Sequence, residues 1–239
     1  MAVVQLDRRR AWWLGATLVV AALAAVNVLN NGVLAPAYLI ARPVEALVLV
    51  GLAMLAGLGW ADLGLGRGTW ARGLRWAGVV IAVIALGYAV ALAVPAVRPA
   101  FLDHRADFTV GVALVQATFP VMLGTVILEE LAFRGVLWGL LCRLRGPATA
   151  TVVSSALFGL WHVLPTLGLT GNNAAAGLVF GAGPGANLVA VVFGVVSTTL
   201  AGVIFCELRR RSGSLLAPIG LHWATNGLGY VFAAIAWTL

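Results

Sequence analysis

The stretch "TVILEELAFRGVLW", residues 125–138, sets two adjacent carboxylates and an arginine into a run that is otherwise apolar enough for lipid. A charged side chain at the centre of a bilayer costs about 2.5–3.5 kcal/mol on insertion scales. Glu129, Glu130 and Arg134 together would cost about 8–10 kcal/mol if unpaired, as much as the whole stability of an ordinary domain. Pairing or function must offset that cost.

The rest of the chain agrees with a bilayer setting. Of its 239 residues 62% are hydrophobic and only 10% charged, against about 25% charged in ordinary soluble domains. The deficit runs along the whole length, which predicts an all-α, integral, multi-pass bundle of transmembrane helices with the polar residues inside it. Crossing about 30 Å of hydrocarbon takes about 20 residues. Seven such runs occur, at 11–30, 43–60, 76–95, 108–142, 147–165, 185–207 and 214–238. The first follows MAVVQLDRRR and is too long for the apolar region of a secretory signal, so it reads as an uncleaved helix. The fourth exceeds one straight crossing, and Pro120 offers a natural break. Residues 1–107 would supply three N-terminal helices and residues 108–239 the core that carries the chemistry.

The net charge of +7 comes from arginines alone. With the N-terminus in the cytoplasm, Arg8, Arg9, Arg10, Arg67, Arg72, Arg75, Arg143, Arg145, Arg209, Arg210 and Arg211 fall on the cytoplasmic side. Only Arg42, Arg98 and Arg105 fall outside, the bias that the positive-inside rule produces in a bacterial-type plasma membrane. The basic balance therefore reports topology, and no nucleic-acid partner is expected. Trp12, Trp13, Trp60, Trp70 and Trp76 sit near the same boundary, as interfacial anchors do. Cys142 and Cys206 form no disulfide or metal motif. The uncharged, glycine-rich segment 166–186 reads as a flexible external loop or a re-entrant flap over a site.

Few ionisable residues remain inside the spans: Glu129, Glu130, Arg134, His162 and His222, with Asn226 as a polar companion. Glu130 and Arg134 are four apart with the acid on the N-terminal side, the better orientation for an ion pair. Glu129 points about 100° away from Glu130. Unless it meets a histidine it is a lone carboxylate in a dry place, the setting in which a carboxyl group serves as a general base. A single intramembrane histidine is an interhelical hydrogen-bond partner more often than a catalyst. Two of them beside a spare glutamate, on three different spans, point to chemistry. Phe158, one turn before His162, packs the histidine-bearing face. His104, among Asp103, Arg105 and Asp107, reads as a solvated external loop. Counted from the cytoplasmic helix ends, Glu129 and His162 lie about 20 Å deep and His222 about 12 Å, a mismatch that tilt or an earlier helix start must absorb.

"EELAFR", "FGLWH" and "HWATN" fit the patterns EExxxR, FxxxH and HxxxN, in that order and on successive apolar segments. Over about residues 120–230 the chain resembles the CPBP family of intramembrane proteases, which includes the type II CAAX prenyl endopeptidases and the Abi-type proteins. The resemblance implies a glutamate-dependent endopeptidase, with residues 108–239 as its catalytic core. Glu129 with His162 would activate a water, and His222 with Asn226 would steady the oxyanion. Glu130, Arg134 and Phe158 would support them. No metal or other cofactor is favoured; zinc held by Glu129, His162 and His222 is the alternative. The implied partners are the bilayer and a peptide or protein substrate, lipidated or not. Two rival functions use the same residues. A proton-coupled transporter is one, since such clusters also mark proton relays, although no inverted repeat accompanies it. A non-catalytic scaffold or immunity-type protein is the other.

Overall fold

The computed structural model describes residues 2–32, 37–181 and 183–239, and among them the regular structure is helical throughout. The long helices are α1 (Ala2–Asn30), α2 (Tyr38–Leu55), α3 (Trp70–Ala93), α11 (Pro184–Ser212) and α12 (Leu216–Ala236). Between α3 and α11 lie α4 (Val110–Thr118), α5 (Ile127–Glu130), α6 (Trp138–Arg145), α7 (Pro147–Trp161) and the short α8 (Val163–Thr166), α9 (Leu169–Asn172) and α10 (Ala174–Phe180). Five helical runs are long and apolar enough to cross a membrane, including the whole of Val110–Arg145. The other two expected spans form helices outside that set. Pro147–Trp161 is shorter, and Leu216–Ala236 carries His222, Asn226 and four glycine or proline residues that lower its apolar character. Large side chains such as Leu47, Leu55, Leu86 and Leu200 stand exposed along the outer faces, where lipid rather than water is the compatible solvent. The protein is thus an integral, multi-pass helical membrane protein.

The fourth run bends where Pro120 requires it, with Phe119 as the non-helical residue between α4 and the rest. Beyond it the backbone widens twice into π-helix, at Met122–Val126 and Leu131–Leu137. Such bulges gather at functional sites, and here they flank α5, the single turn that carries Glu129 and Glu130. Gly146, at φ 83°, ends α6, and Pro147 opens α7 at a position where the missing N–H costs nothing.

Span 147–165 is broken rather than continuous, and the break falls on His162 (φ −86°, ψ 2°). Pro165 is the cause: it has no N–H for the carbonyl of Trp161, which instead accepts from the Asn27 side chain at 2.9 Å. Segment 166–186 is likewise more ordered than a loop. It folds into α9 and α10, and Asn173 pairs with Asp103 across an isolated bridge while Ala174 N–H donates to the Leu102 carbonyl at 3.1 Å.

α12 begins within the fold rather than at its surface. Ser212, Ser214 and Leu215 are fully buried, and Leu215 N–H donates to the Gly64 carbonyl at 2.8 Å. The turn after α11 therefore lies inside the protein, and α12 starts already deep. Small residues let its neighbours approach. A Cβ built on Gly220 would stand 2.5 Å from Ala77 Cβ and 2.8 Å from its Cα, a backbone atom that cannot step aside. Gly220→Ala is therefore expected to destabilise the protein by about 1–3 kcal/mol. A thermal melt in detergent equal to wild type would show that α3 and α12 separate freely.

Candidate active site

Glu129, Glu130, Arg134, Phe158 and His222 form one buried cluster, each 4% exposed or less. Glu130 Oε1 accepts from Arg134 Nη1 at 3.1 Å and lies 2.8 Å from His222 Nδ1. Arg134 also lies over the rings of Phe158 and Phe205, at 3.9 and 4.7 Å from their centroids. The expected pair thus exists, with His222 as a third member. A carboxylate charged by its pair with Arg134 can only accept, so His222 carries its proton on Nδ1. In the neutral ring Nε2 is then an acceptor, and it faces Glu129 Oε2 at 3.8 Å.

Glu129 takes the second place that its side of the helix predicts. Its Oε1 accepts from the indole N–H of Trp161 at 2.9 Å, while Oε2 has no hydrogen-bond partner among the described residues. Within 4 Å its ionisable neighbours among the described residues are His222 and Arg42, the latter at 3.9 Å. His162 is only partly buried and directs Nδ1 to the Phe158 carbonyl at 2.8 Å. A carbonyl only accepts, so here too Nδ1 carries a proton, and in the neutral ring Nε2 keeps its lone pair. Glu129, His162 and Asn226 line one cavity of about 920 Å³, together with Arg42, Trp161, Gln116, Thr125 and Thr198.

Among the described residues no three histidine, cysteine or acidic side chains gather closely enough to hold a metal ion. Glu129, His162 and His222 are not gathered into such a group here.

Trp161 and Arg42 belong to the site but escaped the motif pattern. Trp161 stands beside His162, and its place was hidden because an indole reads as apolar packing. Arg42 counted as a loop arginine; it lies in the first turns of α2, with only 14% of its side chain exposed.

The cavity opens at one end of the bundle. Its mouth is built from Asn31 after α1, Tyr38 at the start of α2, residues 97–106 after α3, and residues 165–173. The arginine-rich helix ends gather at the other, where Arg143 pairs with Asp62 at 2.7 Å and Arg209 donates to the Asp62 carbonyl at 3.0 Å.

At the mouth, Asp103 accepts from both the backbone and the guanidinium of Arg105, at 2.7–2.9 Å. Burial pushes the Asp103 carboxyl upward, but the hydrogen bonds and charge of Arg105 outweigh it and hold the group below the ordinary carboxylate range. A depressed carboxyl stabilises the folded state above its unfolded range and loses that contribution as pH falls through the folded value. Amide protection in 98–109 and 169–180 is therefore expected to hold down to about pH 5 and to fall below about pH 4. Asp103→Asn should lower protection already at pH 7. Equal protection in the variant would mean that the bridge to Asn173 holds the mouth without the ion pair.

A multi-pass helical bundle with a buried carboxylate and an imidazole side by side in the wall of one cavity, and a second imidazole behind the carboxylate, has the makings of an intramembrane hydrolase. Residues 111–228 match the family described as type II CAAX prenyl endopeptidase Rce1-like. The three motifs and their resemblance to the CPBP proteases lie within the matched segment. No curated protein and no solved structure matches the chain. The match supports, at the family level, a CAAX-type intramembrane endopeptidase whose substrate is a peptide or protein in a membrane setting.

Proposed function

We propose that the protein hydrolyses peptide bonds with Glu129 as the general base. The carrying observation is Glu129 itself: buried, held by Trp161 through one oxygen, and with the other oxygen partnerless beside the cavity. A carboxylate so placed is free to take a proton from a water. His162, with Nε2 bare, orients that water from the cavity wall. Asn226 donates its amide N–H to the oxyanion. His222, expected beside Asn226, is bonded to Glu130 through Nδ1; in the neutral ring it positions Glu129 and donates nothing to substrate. Residues 108–239 supply these groups.

The test is cleavage of a panel of quenched peptides, lipidated and unlipidated, by the purified protein in detergent. Glu129→Ala would run beside wild type, each with and without a chelator. Loss in the variant alone supports the glutamate mechanism. Loss on chelation would transfer the chemistry to a metal. No cleavage by wild type would turn attention to proton-linked transport through the same cluster.

With the arginine-rich ends in the cytoplasm, as the positive-inside rule directs, the cavity mouth faces the outer side. Substrate then arrives from the extracytoplasmic face or from within the bilayer. In a cysteine-free background, Asp107→Cys should react with a membrane-impermeant maleimide on intact cells, and Ala61→Cys only after permeabilisation. The reverse pattern would put the mouth in the cytoplasm.

A further inference from the structure

Arg42 is the observation that the endopeptidase reading leaves unused. It stands on α2, outside the family-matched segment, yet its guanidinium lines the cavity beside Glu129. Its side chain is 14% exposed and its nearest carboxylate oxygen, Glu129 Oε1, lies at 3.9 Å, too far for a hydrogen bond. Its Nε is buried without a partner. Among the described residues its other interaction is a loose stack on the Trp161 ring, 6.0 Å from the centroid. A guanidinium has five donors in a planar fork that matches two oxygens on one carbon. Leaving buried donors idle is costly, so this fork is arranged for an acceptor that substrate brings.

The tautomers say which acceptor. Nδ1 of His222 is committed to Glu130 and Nδ1 of His162 to the Phe158 carbonyl. In their neutral forms neither ring has an N–H to offer an oxyanion. Of the donors that line the cavity with Glu129, Asn226, Gln116, Thr125 and Thr198 are neutral, and Arg42 is the cation within 4 Å of Glu129. We propose that Arg42 is a catalytic residue that stabilises the oxyanion and then holds the newly formed carboxylate.

This rests on the hydrolytic reading above, and the charge movement makes the geometry intelligible. Glu129 removes a proton from water as the water oxygen bonds to the scissile carbonyl carbon. The carbonyl π pair moves onto oxygen, so negative charge passes from Glu129 to the substrate. When the intermediate collapses the C=O reforms, the C–N bond breaks, and the proton on Glu129 passes to the leaving nitrogen. The products are an amine and a carboxylic acid, the acid's proton passes to the amine, and the two oxygens of the resulting carboxylate fit the fork. A cation 3.9 Å from the base can follow the charge from Glu129 onto a carbonyl that Glu129's water attacks, without moving. A tight bidentate pair with Glu129 would instead have spent the donors and held the base's charge in place, and 3.9 Å is not such a pair.

The experiment takes a peptide that wild type cleaves and measures kcat and KM for Arg42→Ala and Arg42→Lys. Each is repeated with low-millimolar guanidinium chloride, and with urea as the uncharged control. Arg42→Ala should lose about 100-fold in kcat, the effect of removing one oxyanion donor, with KM nearly unchanged. Guanidinium should recover at least about tenfold of that loss, urea none, and Arg42→Lys should fall between. Wild-type kcat in Arg42→Ala would overturn the proposal while leaving the Glu129 mechanism standing. So would a loss that neither guanidinium nor lysine relieves, since that marks a structural role. Absence of cleavage by wild type would overturn both.

Discussion

Glu129→Gln is expected to lower kcat by about 10²–10⁴-fold, the range a positioned general base contributes, while the fold persists. The substitution is nearly isosteric, and the amide oxygen can still accept the Trp161 indole N–H that holds Oε1 at 2.9 Å. What it removes is the capacity of the second oxygen, partnerless in the cluster, to accept a proton. Glu129 is 4% exposed and is the only carboxylate of the adjacent pair that lines the cavity. Neutralising it also relieves the buried negative charge, so the melting temperature should hold or rise. Peptide cleavage and a thermal melt on the same preparation check both halves. A variant that cleaves at the wild-type rate would remove Glu129 from the chemistry. A variant that fails to fold would place the residue in the structural cluster with Glu130.

Arg134→Met is expected to act on the opposite quantity. Arg134 and Glu130 are both wholly buried, and their 3.1 Å bond is the charge balance of the core. Removing one partner strands the other, at about 3–5 kcal/mol. The methionine fills the space beside Phe133, Phe158 and Phe205 but leaves a carboxylate facing His222 alone. The double variant Glu130→Gln, Arg134→Met should be more stable than Arg134→Met, because no uncompensated charge remains. Its cleavage should still be impaired, since the anchor of His222 is altered. A single variant melting with wild type would mean that the ring contacts, rather than the ion pair, hold this helix.

The contrast between the two carboxylates was legible in the chain itself. Spacing of four with the acid first assigned Glu130 to Arg134, and the helical angle assigned Glu129 elsewhere. These are local facts, set by one helix turn. The apolar runs were legible for the same reason, since crossing a bilayer needs length and composition alone. The motifs EExxxR, FxxxH and HxxxN likewise repeat within a turn, and the residues that bear them converge in space.

Partners from distant segments followed no such rule. His222 meets Glu130 across 92 positions because the turn at 212–215 is buried and starts α12 inside the protein. His162 presents its ring at a helix end because Pro165, three residues on, empties the carbonyl bond of Trp161, and Asn27 fills it. Arg42 sat in the sequence as one of three arginines on the sparse side of the membrane. Only packing of α2 against α5 and its flanking π turns brings it beside Glu129. Composition and short-range spacing thus determined a membrane-embedded helical protein with one paired and one spare glutamate. Tertiary structure decided which side chains the spare glutamate faces, because hydrogen-bond commitments between distant helices, and not residue type, set where each proton and charge is held.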